Sequence, residues 1–172
     1  MADENLAPAV CAAAARTLTK AAAQIRHCVD QLADEQVWWR PAPAMNSIGN
    51  LILHLCGNIR QWIVSGIGGA EDVRQRPAEF AERGPIARAE LLQRLDSAVT
   101  EACAALSRCS GKELLRPRRI QGFDVTGIEA IFDSVPHFKG HTQEIVHLTR
   151  LQLGGAYRFA WVPTTPEQGA SL

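Results

Sequence analysis

Apolar residues recur along this chain at helical spacing in four long blocks, and no stretch alternates with the period of two expected of a half-buried strand. The first block covers about residues 6–33. Val10, Leu18, Ile25, Val29 and Leu32 fall on one side of it, and alanine, the best helix former, fills much of the rest. "ADEQVWWRPAPAMN" breaks the pattern because Pro41 and Pro43 cannot continue a helix, and Trp38 and Trp39 are expected to form a lid over one end of the core. Ser47 is a good N-cap for a second helix, about 47–65, which carries "IGNLILHLCGNIRQWIV" and stops at Gly66 with Gly68 and Gly69 beyond. The following "AEDVRQRPAEFAERG" is polar, charged and proline-containing, and reads as a surface loop.

A third helix, about 85–109, is expected to start with Pro85 in its first turn and to bury Leu91, Leu95, Val99, Ala102 and Leu106 before Ser110-Gly111 ends it. Thr126 and Glu129 form a capping box, T-x-x-E, for a fourth helix, about 126–153, closed by Gly154-Gly155. Pro136 lies inside that block. Either it kinks one long helix or Ser134 caps a fresh one, and the apolar spacing through Ile128, Ile131, Val135, Phe138 and Ile145 favours the single kinked helix. The tail "AYRFAWVPTTPEQGASL" is expected to pack across the bundle and to fray at its last residues. These elements predict an all-α, up-down four-helix bundle in a single domain, residues 1–172, with the tail packed on it.

Composition narrows the function more by exclusion than by assignment. Lysine plus arginine and aspartate plus glutamate are equal at 18 each, so no electrostatic footprint for nucleic acid or an anionic membrane is visible. No run of 18 apolar residues occurs, and the start of the chain is acidic where a signal peptide is basic, so a cytoplasmic protein is expected. The five cysteines are odd in number and contain no CxxC pair, which fits a reducing compartment. Cys56 is expected to be a small buried hydrophobe rather than a reactive thiol.

Histidine placement carries the chemistry. His141 follows His137 by four residues, about 40° round a helix, and Glu144 falls about 20° to the other side of His137. A helical H-x-x-x-H can chelate a divalent metal, although the spacing alone is a weak signal. His54 shares its side of the second helix with Leu51, Leu55 and Asn58, which turns it toward the bundle interior. Three imidazoles from two facing helices would leave coordination positions open for water or substrate. His27 is expected to face solvent, and His147 points about 120° away from His141, so neither belongs to the set.

"DEQVWWRPAPAMNSIGNLILHLCGNIRQWI" and "HFKGHTQEI" together resemble the DinB-like (DinB/YfiT) superfamily of bacterial four-helix bundles, over most of the chain. The resemblance implies His54, His137 and His141 as ligands of zinc or nickel. It departs from the common motif at Thr142, Gln143 and Glu144, where arginine, glycine and glutamine are usual, so a carboxylate stands beside the site. What it implies for activity is a divalent-metal-dependent enzyme, foremost a thiol-dependent S-transferase joining a low-molecular-weight thiol to a small electrophile. The alternatives are a metal-dependent hydrolase, or a non-catalytic dimeric binding or stress-response bundle. A homodimer is compatible with the helix stripes and the tryptophan-bearing tail.

Supporting residues keep two readings each. Glu144 either accepts the thiol's proton or orients a ligand, against an ordinary helix carboxylate. Asn58 either lines the cavity or makes an interhelical hydrogen bond. Arg60, Arg116, Arg118 and Arg119 could grip a carboxylate-rich thiol, the last three otherwise forming a solvated charge run. Trp62 and Trp161 are expected to anchor the core or an interface.

Overall fold

The computed structural model describes residues 6–161. Four long helices carry the core: α1 (Leu6–Val29), α3 (Ile48–Ile59, continued by a wider π-helical segment over Arg60–Ser65), α5 (Arg88–Ser107) and α7 (Gly127–Leu153). Between them stand α2 (Asp34–Trp38), α4 (Arg76–Ala81), α6 (Gly111–Leu115) and a two-stranded hairpin, β1 (Pro117–Ile120) and β2 (Phe123–Thr126). Both α1 and α3 pack mainly on α5 and α7, so α1 sits diagonally across the bundle from α3, and α5 from α7. The long connections allow this crossover arrangement. None of the described helices is long and apolar enough to cross a membrane.

The predicted stripes form the core. Leu18, Ile25, Val29 and Leu32 meet Leu51, Leu55, Leu91, Leu95, Phe138 and Ile145, all fully or almost fully buried. Both capping predictions hold: the Ser47 hydroxyl accepts from the Asn50 backbone N–H, and the Thr126 hydroxyl accepts from that of Glu129. Pro136 sits inside one continuous α7, and Ser134 is not a cap; its buried hydroxyl donates to Asn58 Oδ1 at 2.9 Å. Trp38 covers one end of the core as expected, pressed so close to Gly49 that a Cβ there would lie 2.8 Å from the ring, while its indole N–H donates to the Ile86 carbonyl. Trp39 does not share the task and is exposed.

Several expectations are corrected. Residues 34–38, taken as part of a break, form the short α2. Pro85 precedes the third long helix, whose first helical residue is Arg88. A hairpin stands where no strand pattern was visible; each strand is only four residues long, and Gln121 and Gly122 turn it with positive φ of 52° and 88°. His27 faces the tail rather than open solvent: its Nε2–H donates to the Arg158 carbonyl at 2.6 Å. The tail thereby packs on α1 as far as Arg158, but Phe159 and Trp161 are exposed, so Trp161 anchors nothing in the core. The expected fraying concerns residues outside those described. The most consequential correction is the 70–84 connection: it lies mostly on the surface as expected, but it contains α4 and buries Glu79, so it is a built strap rather than a plain loop.

Candidate metal centre

His54 on α3 and His137 and His141 on α7 each offer a ring nitrogen, and these atoms lie within 4.8 Å of one another. Nε2 of His54 and Nε2 of His137 lie 2.9 Å apart. A tetrahedral ion with bonds of about 2.0–2.1 Å holds its nitrogens about 3.3 Å apart, so the spacing fits a three-imidazole donor set with small adjustments. The rings meet edge to face, with centroids 4.5–5.2 Å apart. His54 is buried, and the two α7 histidines are half-buried.

Each outer histidine is backed by a carboxylate on its remote nitrogen. His54 Nδ1–H donates to Glu79 Oε2 at 2.9 Å, and His141 Nδ1–H donates to Glu144 Oε2 at 2.7 Å. Such partners fix the tautomer and turn the Nε2 lone pair toward the centre. His137 has no such carboxylate among the described residues. Burial first, and the neighbouring His141, His54, Arg74 and Arg76 after it, lower its pKa to about 4, so the ring is neutral and its lone pair is available at neutral pH.

Glu79 was not predicted as a site residue, and the strap that carries it explains why. Pro77 in its first turn suits the short α4, which lies across α3. Arg74, with a side chain only 3% exposed, grips Glu79 with Nε on Oε1 at 2.7 Å and Nη2 on Oε2 at 2.9 Å. Arg74 Nη2 also lies 3.1 Å from His54 Nδ1; both are donors aimed at the same carboxylate oxygen. Burial pulls the Glu79 carboxyl upward, yet the hydrogen bonds and charges of Arg74 and His54 together outweigh it and hold it below the ordinary carboxylate range. Asn50, fully buried, ties the strap's backbone to α3 by donating to the carbonyls of Glu79 and Glu82. Gly57 makes room for the carboxylate: a Cβ there would lie 1.9 Å from Glu79 Oε1. A glycine inside a strongly helical pattern was the one sequence signal of this close approach. Phe80 packs against the His54 ring, centroids 4.8 Å apart, and seals that side.

The other candidate residues separate clearly. Asn58 fulfils both of its readings, accepting from Ser134 and lining a cavity with His54 and His137. Cys56 is buried, and burial pushes its thiol up to about 12, which removes it as a nucleophile. Arg60 is bound bidentately by Glu101, Arg116 meets Glu113, and Arg119 meets Asp124. Arg118 is not part of a solvated run: its side chain is 9% exposed and donates to the carbonyls of Gly66 and Glu113, fastening the hairpin to the bundle. None of these four reaches the histidines. Trp62 is buried as expected, its indole N–H donating to Gln121 Oε1 at 3.1 Å. A cavity of about 520 Å³ on the far side of the strap touches the centre only through Arg74 and Glu79.

Known proteins share this fold. A family described as a protein of unknown function (DUF1572) matches residues 6–165. No curated protein matches the chain. Among solved structures, the chain is similar to a conserved protein from Enterococcus faecalis, with a TM-score of 0.67 and 17% identity over 82% of this chain and 95% of that one. It is also similar to a DinB-like protein from Bacillus cereus ATCC 10987, with a TM-score of 0.62 and 16% identity over 80% and 89% of the two chains. At such identities the likeness shows the fold. The match across residues 6–165 shows the family: the chain belongs to DUF1572, and its fold is like that of the DinB-like protein.

Proposed function

We propose that this protein holds a divalent metal, zinc or nickel, on His54, His137 and His141, and uses it with a low-molecular-weight thiol on a small electrophile. The observation that carries the metal reading is the convergence of three imidazoles, two of them backed by carboxylates at Nδ1. When bound, such a metal stabilises a thiolate or polarises a substrate oxygen.

The chain's own residues do the rest. Glu79, clamped by Arg74, keeps the His54 lone pair inward. Glu144 does the same for His141, and sits behind that ring rather than over the centre, which makes it an orienting carboxylate in this proposal. Asn58 presents its amide to the adjoining cavity. Phe80 and the strap exclude water from the α4 side. Self-association belongs to the same reading, since Phe159 and Trp161 leave apolar area exposed among the described residues.

Elemental analysis of protein purified without chelator or nickel affinity resin tests the metal, beside a His137→Ala/His141→Ala double variant. The expected result is near-stoichiometric zinc or nickel that the variant lacks. A metal-free protein that also gains no thermal stability from added zinc or nickel refutes the reading. Activity that persists without any thiol would move the assignment to a hydrolase, and a light-scattering mass of one chain, 18.7 kDa, would refute the homodimer.

A further inference from the structure

Beside the histidines a cavity of about 370 Å³ runs between α3 and α7 toward the hairpin. Helical spacing builds its walls. On α3, Asn58 and Trp62 follow His54 by four and eight residues; on α7, Asp133 precedes His137 by four. Each step of four is about one turn, so both helices carry the histidine face outward as a lined groove about two turns long.

Three features of this groove have no use elsewhere in the described structure. Asn58 is 7% exposed, and its carbonyl oxygen is taken by Ser134. Its amide N–H groups have no partner among the described residues, and they are not sealed in protein, since no fully buried polar side-chain atom is left unpaired. They therefore face the cavity. Arg76 lines the same cavity, stacked over Phe80 at 5.0 Å, and meets no carboxylate among the described residues. Asp133 lines it too and meets no cation there, nor does it pair with Arg76. The remaining lining cation, Arg74, is engaged with Glu79. Trp62 and Phe123, ring centroids 6.4 Å apart, supply the apolar wall.

A monoanion in this groove would leave Asp133 opposing it, and a monocation would leave Arg76 opposing it. A ligand bearing both charges satisfies both side chains at once. We propose that the groove is a subsite for the zwitterionic head of an amino-acid-type ligand. The carboxylate meets the Arg76 guanidinium and the Asn58 amide, and the ammonium meets Asp133. The ligand's side chain then runs toward the histidines one turn away. This deepens the proposed function, on which it rests for the nature of that side chain: a cysteine-type thiol would bring its sulfur to the three imidazoles.

The test uses capped probes that need no metal: S-methyl-L-cysteine, 3-(methylthio)propanoate, which lacks the ammonium, and 2-(methylthio)ethylamine, which lacks the carboxylate. Each is titrated into the full chain, with and without added zinc, and followed by the amide resonances of Asn58 and the indole N–H of Trp62. The zwitterion is expected to shift both signals and to bind about ten-fold more tightly than either singly charged probe, the effect of one charge-assisted hydrogen bond. Arg76→Met is expected to reduce the zwitterion to the affinity of the amine, and Asp133→Asn to that of the propanoate. Both residues are exposed, so the variants should fold. Equal binding of all three probes, a propanoate as tight as the zwitterion, or no shift at Asn58 and Trp62 overturns the proposal. Zinc binding that survives such a failure leaves the metal reading intact. Zwitterion binding in a protein that takes up neither zinc nor nickel refutes the metal reading and leaves the subsite standing.

Discussion

Replacing Gly57 by alanine should unseat Glu79, although it adds one methyl group to a helix that would otherwise welcome it. The new Cβ would lie 1.9 Å from Glu79 Oε1, 2.9 Å from its Cδ and 3.0 Å from Arg74 Nε. A free glutamate would swing aside, but this one is held by Arg74 Nε at 2.7 Å, Arg74 Nη2 at 2.9 Å and His54 Nδ1 at 2.9 Å. The three side chains are 3%, 10% and 6% exposed for Arg74, Glu79 and His54. Orphaning a buried charge costs about 3–5 kcal/mol. Here the strap can lift and let water reach both charges, which brings the loss toward about 3 kcal/mol of charge-assisted hydrogen bonding. Alanine returns about 1 kcal/mol of helix propensity. The net expectation is a destabilisation of about 2 kcal/mol, or a fall in Tm of about 4–8 °C, with metal affinity down about 10–100-fold as His54 loses its orienting partner. Urea denaturation and competition against a chromogenic chelator measure the two effects. Gly140→Ala is the matched control, because a Cβ there meets nothing within 4 Å in the middle of α7, and it should stabilise by up to about 1 kcal/mol. If Gly57→Ala behaves like Gly140→Ala and binds metal as the parent does, the strap does not hold His54 in the way described.

Two further expectations follow from burial. The His137 imidazole titrates near 6.5 when unfolded and about 4 when folded, so between those values the unfolded chain binds more protons and stability is lost as pH falls. Chelator-treated protein should therefore show urea midpoints that decline from pH 6.5 toward pH 4, and His137→Gln should flatten that slope; an unchanged slope in the variant counts against the shifted imidazole. Cys56, 4% exposed and with its thiol pushed up to about 12, should resist iodoacetamide in native protein while the half-buried Cys103 is alkylated, as mass spectrometry can read; alkylation of Cys56 ahead of Cys103 would contradict its burial.

The bundle and its three histidines were legible in the sequence because both depend on local periodicity. Leu18 and Ile25 on α1, Leu51 and Leu55 on α3, and Leu91 and Leu95 on α5 recur at helical spacing within their own helices, and burying such stripes leaves a helical bundle as the economical solution. His137 and His141 share a face by the same geometry, and the inward side of His54 follows from its apolar neighbours. The continuity of α7 through Pro136 was readable for that reason as well: the apolar spacing on either side of the proline stays in phase. Other features have no period. The hairpin's four-residue strands are too short to alternate visibly, and their pairing depends on a turn at Gln121-Gly122 that the neighbouring residues do not announce. The role of Glu79 depends on a carboxylate 25 residues from its histidine, in a segment whose polarity resembles that of any surface loop. Only the folded chain decides that Arg74 neutralises it, that Asn50 ties down its backbone and that Gly57 leaves the space it occupies. Apolar burial is recorded residue by residue along a helix. The pairing of buried charges is recorded only in the distances between segments that the sequence keeps far apart.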